Sequence, residues 1–391
     1  MNPYYDFNFD IARAGSASLK YDARLALFGR ADVLPLWVAD MDFAAPQAVT
    51  QALIARAQHP IYGYTQYPAS MYQALIDWLQ RRHGWQVARE WIVMCPGVVP
   101  SLYASIQALT QSDDGVIIQP PVYFPFFSAV HDTGRKLLEN PLKLTGLDYS
   151  IDFAHFEACA AQASMLLFCS PHNPVGRVWK ESELNSLLHI AREYNLTILS
   201  DEVHADLIYP GNPHQVIAKL CNDLNIITAV APSKSFNVAG LNLSALIIPN
   251  EEQRAAVNKV FSHFHISASN PFSIAAFEAA YNQGEDWLTA LLQYLNETRA
   301  MVVDFVDQHL PNIQMIPAEG TYLLWLDCRD LGMTDGALKD FFVHKAGVGL
   351  SQGIQFGAPG TGFMRMNIAA PRHTIQLALE RIQLALEALN K

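Results

Sequence analysis

Between residues 91 and 248 short apolar runs recur, at 91–95, 116–119, 165–169, 197–200, 226–230 and 243–248, with helical patterns between them. This alternation leaves few arrangements open. Parallel strands need long crossovers, and runs that are apolar throughout need cover on both faces. The spacing predicts an α/β fold: a mostly parallel sheet with helices on both sides. Sheets of this kind bind ligands outside the carboxyl ends of their strands. The segments at 97–99, 120–123, 170–173, 201 and 233–234 each lie just after such a run, so five candidate site segments converge on one edge.

A chain of 391 residues exceeds what one hydrophobic core usually serves, which predicts a second unit. Helical patterns at 46–57, 70–83, 251–263, 272–283 and 287–308 frame the sheet region, the last long enough to join two domains. After it come a strand at 321–327, a helix at 335–346, a strand at 362–368 and a closing helix at 374–390. The loop at 61–68 is rich in tyrosine, with Tyr62, Tyr64 and Tyr67 around Gly63 and Pro68. No internal repeat or low-complexity tract interrupts this pattern.

Composition narrows the function. A net charge of -11, with 26 unclustered Lys and Arg, disfavours nucleic acid and anionic membrane as partners. Residues 91–112 are uncharged, but Pro96, Gly97 and Pro100 interrupt them, which is wrong for a membrane span. Five cysteines without a Cys-x-x-Cys pair suggest neither a disulfide framework nor a metal site. The first residues lack a basic stretch followed by an apolar one, so the expectation is a cytoplasmic protein.

Individual residues are then weighed. Lys234 follows the apolar run 226–232; a desolvated lysine has a lowered pKa and suits Schiff-base chemistry, whereas the bland alternative is a surface lysine in a turn. Gly97, Val98 and Val99 open a helix whose amides suit a phosphate, or form an ordinary capping turn. Ser233 can add a hydroxyl donor to that phosphate. Asp201 ends a strand, where a buried carboxylate needs a cationic partner, or caps a turn. Arg365, between Met364 and Met366, asks for a bidentate acceptor: a substrate α-carboxylate or one of 37 acidic residues.

Asn173 in Ser-Pro-His-Asn-Pro-Val-Gly, Asp201 in Ile-Leu-Ser-Asp-Glu-Val-His, Lys234 in Ser-Lys-Ser and Arg365 stand in the order and spacing of fold-type I pyridoxal-phosphate enzymes. The chain resembles the class I/II aminotransferase superfamily. Within it, Trp-Val-Ala-Asp-Met-Asp-Phe at 37–43 and His204 resemble the cystathionine β-lyase subgroup of the MalY/PatB kind. The resemblance implies a large cofactor-binding domain over 46–285 and a small domain of 1–45 with 286–391, the N-terminal segment packing on the C-terminal one. It implies pyridoxal 5′-phosphate as cofactor, with Tyr123 stacked on its ring, Asn173 on its phenolic oxygen and His204 beside it. It also implies a homodimer with shared active sites, Tyr64 reaching the phosphate held by the other subunit. Backbone at Trp37 and Ala39 would join Arg365 around the carboxylate of an amino-acid substrate. Typical aminotransferases carry tyrosine at the position of His204 and arginine at that of Asn242. The implied reaction is carbon–sulfur β-elimination from L-cystathionine or related cysteine conjugates, with a transaminase, or a regulatory protein binding a transcription factor, as alternatives.

Overall fold

The computed structural model describes residues 5–266 and 270–389. Seven strands form the large sheet: β1 Ile92–Cys95, β2 Gly115–Ile118, β3 Lys136–Glu139, β4 Ala163–Cys169, β5 Thr197–Asp201, β6 Ile226–Val230 and β7 Ser244–Ile247. Their spatial order is β1-β7-β6-β5-β4-β2-β3. β7 runs antiparallel to both its neighbours, and the remaining pairs are parallel. Every residue of β5 and β6 is buried. Such strands read as continuous apolar runs because both faces are covered.

The cover is helical on both sides. Ile117, Leu166, Phe168 and Ile198 pack in one cluster with residues of helices Phe153–Ala160 and Glu181–Glu193. Their neighbours along the strands, Val116, Met165, Leu167 and Leu199, pack in another with helices Val98–Leu109, Pro125–Asp132 and Glu251–His263. The alternation within each strand is the period of two that sends successive side chains to opposite faces. β3 was absent from the sequence expectation. It is an edge strand with exposed Lys136 and Glu139 at its ends, so it carries no apolar run to read.

A second, antiparallel sheet has the order Gln314–Met315, Leu323–Asp327, Phe363–Asn367, Ser351–Gln352. It sets Arg365 opposite Trp325 on one side and Ser351 on the other. Helix Glu285–His309, of 25 residues, and helix Arg372–Leu389 pack against it within the main core cluster. The single helix predicted over 335–346 is an α-helix at Asp335–Asp340 followed by a π-helical turn at Phe341–Ala346. The end of the predicted helix at 390 lies outside the described residues.

The chain's first elements are tied to its last. Leu34 and Pro35 pair in parallel with Val348 and Gly349, and the Asp42 amide donates to the Ala369 carbonyl at 2.9 Å. These contacts support the division at 45/46 and 285/286, which we propose as the domain boundary. The apolar core is nevertheless continuous across it: Leu36, Trp78, Phe236, Trp287, Leu323 and Ile375 belong to one buried cluster.

Candidate active site

At the carboxyl ends of the large sheet lies a cavity of about 270 Å³. Its walls carry Val98, Val99, Tyr123, Asn173, Asp201, His204, Ser233, Lys234 and Ala39, so residues spread over 195 positions of sequence meet in one place.

Lys234 sits in the short helix Pro232–Ser235 directly after β6, and its Nζ donates to the Ala39 carbonyl at 2.6 Å. Burial pushes the ammonium down to about 8, Arg365 acts in the same direction, and Asp40 and Asp201 oppose both. Desolvation favours the neutral amine, the form that attacks a carbonyl. The next residue is anchored from below: the Ser235 hydroxyl donates to Asp206 at 2.7 Å, and Asp206 also accepts from Trp78 Nε1 and lies 2.9 Å from His83 Nε2.

Asp201 ends β5, and its carboxylate has one hydrogen-bond partner among the described residues, the Val203 amide at 3.2 Å. Burial raises this carboxyl to about 6, against the pull of the Val203 amide and Lys234. A buried carboxylate so thinly satisfied is suited to a cationic ligand group. His204 is pushed down to about 3 by burial, and its Nδ1 is buried with no partner among the described residues. Tyr123 closes another wall, its phenol raised by burial and by Asp201.

Helix Val98–Leu109 begins at this cavity with no side-chain cap. Its N-cap, Gly97, has φ 137°, a left-handed conformation in which a side chain would be strained. The first-turn amides are thereby left to an anion, which the helix dipole favours. Ser233 and Ser244 line the same cavity, and Asn242 joins them from an exposed turn at φ 46°.

Arg365 is buried and faces no carboxylate: its guanidinium donates to Asn173 Oδ1 at 2.9 Å, the Trp37 carbonyl at 2.8 Å and Ser351 Oγ at 3.3 Å. Nε has no partner among the described residues, and burial lowers the group to about 10. An acidic residue was the alternative partner predicted from the sequence, and no ion pair of that kind is present among the described residues. Arg365 faces a second cavity of about 460 Å³, which shares Ala39, Tyr123 and Lys234 with the first and is also lined by Trp37. Tyr64 is the one predicted contact that this chain does not bring to either cavity; it is fully exposed.

Several residues that shape the site were not singled out from the sequence. The segment 37–43 is held as a strap: Asn237 Nδ2 donates to the Met41 and Phe43 carbonyls, and Asn367 Nδ2 donates to those of Val38 and Asp40. Lys20, fully buried, pairs with Asp42 at 2.9 Å, and Arg13 bridges Asp40 and Asp42, both at 2.6 Å. Cys169 and Val203 line the first cavity, and Tyr322 donates to the Ala39 carbonyl at 2.9 Å. The position of Cys169 at the end of an apolar run was the available clue; the two asparagines and Lys20 have none.

The residues fit a flat, phosphate-bearing cation-forming ring with a carbonyl. The uncapped helix would hold the phosphate, the under-satisfied Asp201 would pair with a ring cation, and the amine of Lys234 would face the carbonyl carbon. The model of aminotransferase class I and II matches residues 31–382. Cystathionine β-lyase PatB of Bacillus subtilis is 41% identical over 385 residues, covering 97% of this chain and all of the relative. The solved structure of cystalysin from Treponema denticola, which contains a pyridoxal 5′-phosphate cofactor, matches with TM-score 0.95 at 37% identity, covering 98% of this chain and 99% of that one. The PLP-bound C-S lyase from Staphylococcus hominis matches with TM-score 0.91 at 33% identity, covering 98% of each chain. The chain belongs to the aminotransferase class I and II family.

Proposed function

We propose that this protein is a pyridoxal-phosphate-dependent carbon–sulfur β-lyase that converts L-cystathionine or a related cysteine conjugate, with water, to a thiol, pyruvate and ammonia. The observation that carries the reading is full-length likeness to cystathionine β-lyase PatB, 41% identical over 385 residues. The cofactor is pyridoxal 5′-phosphate. When bound, it supplies an electron sink for charge left at the substrate Cα. The first-turn amides of Val98 and Val99, with Ser233, would hold its phosphate, Asp201 its ring nitrogen, Asn173 its phenolic oxygen and Tyr123 a ring face.

The chain's own groups then divide the work. Arg365 binds the substrate carboxylate through donors that include its unpartnered Nε, and the Trp37 carbonyl keeps the guanidinium in plane with that task. Lys234 Nζ accepts the Cα proton, and the Ala39 carbonyl at 2.6 Å holds the amine in position. Neutral His204 places no competing positive charge beside Asp201. Positioning of this kind can be worth several kcal/mol.

The protein is further read as a cytoplasmic homodimer in which Tyr64 of one chain faces the phosphate held by the other. Ile61, Tyr62 and Tyr64 are exposed together, which supports an apolar surface that a second copy covers. The test of the reaction is pyruvate and thiol release from L-cystathionine, compared with keto-acid formation from alanine and an acceptor. Thiol release should exceed the alanine half-reaction by far; equal rates would make the protein a transaminase.

A further inference from the structure

The second cavity has an electrostatic character that binding and catalysis at Cα do not require. Besides the reacting amine of Lys234, its wall carries two cationic side chains, Arg365 and Lys339, and no Asp or Glu, in a chain whose net charge is -11. Lys234 and Arg365 have duties already. Lys339 has none: it is half-buried on helix Asp335–Asp340 and makes no ion pair or hydrogen bond among the described residues. Its nearest acidic neighbour in sequence, Asp340, lies 3.9 Å from His344 instead. Between the cations the wall is apolar, with Leu27, Phe28, Phe124 and Leu350, and the amides of Gln352 and Gln355 complete it.

We propose that Lys339 binds a second carboxylate, at the far end of the substrate's sulfur substituent, so that dicarboxylic cysteine thioethers are the preferred substrate class. This rests on the β-lyase reading for the site and adds to it the chemistry of the leaving group. The apolar stretch accommodates a short methylene chain, Arg365 fixes one carboxylate and Lys339 the other. A wall with like charges and no counterion attracts an anion and repels a cation, and the field is stronger where water is partly excluded. A thioether ending in an ammonium alone is therefore disfavoured.

The test measures kcat/KM for thiol release from S-(2-carboxyethyl)-L-cysteine, S-(2-aminoethyl)-L-cysteine and S-propyl-L-cysteine. The holoenzyme should favour the anionic over the neutral substrate by about five- to tenfold, the scale of a half-screened ion pair, and disfavour the cationic one. In Lys339→Met the anionic-to-neutral ratio should collapse to near one, and in Lys339→Glu the order of anionic and cationic substrates should invert. A folding defect would lower all three rates together and leave the ratios intact. Absence of a charge preference in the wild type, or its survival in Lys339→Met, overturns the inference. No thiol from any substrate would overturn the β-lyase reading instead; titration calorimetry of the holoenzyme with glutarate and butyrate then decides separately. Glutarate should bind about five- to tenfold more tightly in the wild type and equally in Lys339→Met, and equal binding in both proteins sinks the proposal.

Discussion

Arg365 is a buried cation whose partners are all neutral, so its removal should be felt at the substrate rather than in the fold. Truncating one partner of a buried charged pair costs about 2–5 kcal/mol, so Arg365→Ala should lower kcat/KM by about 30-fold to several thousand-fold. Steady-state kinetics with intact visible absorbance would confirm that the loss lies in substrate capture. Lys234 gives a pH prediction. Its folded value lies near 8 against an ordinary 10.5, so the ammonium is favoured below about 8 and the reactive neutral amine above it. Cofactor uptake by the apoprotein should therefore rise with pH through about 8; a midpoint remaining above 10 would show that burial does not act on this amine. Both residues were readable in the sequence because a charge beside an apolar run demands an explanation. Lys20 was not: it is fully buried, but its reason is Asp42, 22 positions away, on a strap whose path no local pattern encodes.

Elements were legible in proportion to how completely they are buried. β5 and β6, apolar on both faces, stand within a residue of the runs read from the sequence, whereas β3 and the exposed hairpin of Lys143–Thr145 with Asp148–Ser150 left no periodic trace. The π-helical turn at Phe341–Ala346 keeps the apolar spacing of a helix, so only its hydrogen bonding distinguishes it. The strap at 37–43 is an element without regular structure, held by side chains instead of a ladder. Asn367 is fully buried, its Nδ2 donates to two strap carbonyls at 2.6 Å and its Oδ1 accepts from the Ala369 amide at 2.8 Å. Asn367→Ala would leave these groups unpaired, at about 2–4 kcal/mol by the cost of buried unsatisfied polar atoms. Denaturant unfolding should show that loss, and KM should rise because the Trp37 and Ala39 carbonyls lose their support. Full stability in the variant would mean that Asn237 alone holds the strap.

Across the whole molecule, the site is divided among distant stretches of chain, and a second copy is proposed to supply one more. Lys234→Ala and Tyr64→Ala proteins, each inactive alone, should regain part of the activity when mixed and re-equilibrated, through hybrid dimers with one intact site. No recovery together with full activity of an isolated monomer would remove Tyr64 from the site. Within one chain the division has a temporal side. The carbonyls that position Arg365 and Lys234 belong to residues 37 and 39, and the arginine itself arrives at 365. Domains acquire structure in the order they leave the ribosome. The sheet, the uncapped helix and Lys234 thus leave the ribosome before Asn367, which pins the strap, and before Leu323 and Ile375, which close the core around Phe236. Competence to react is reserved for chains that have been made to the end.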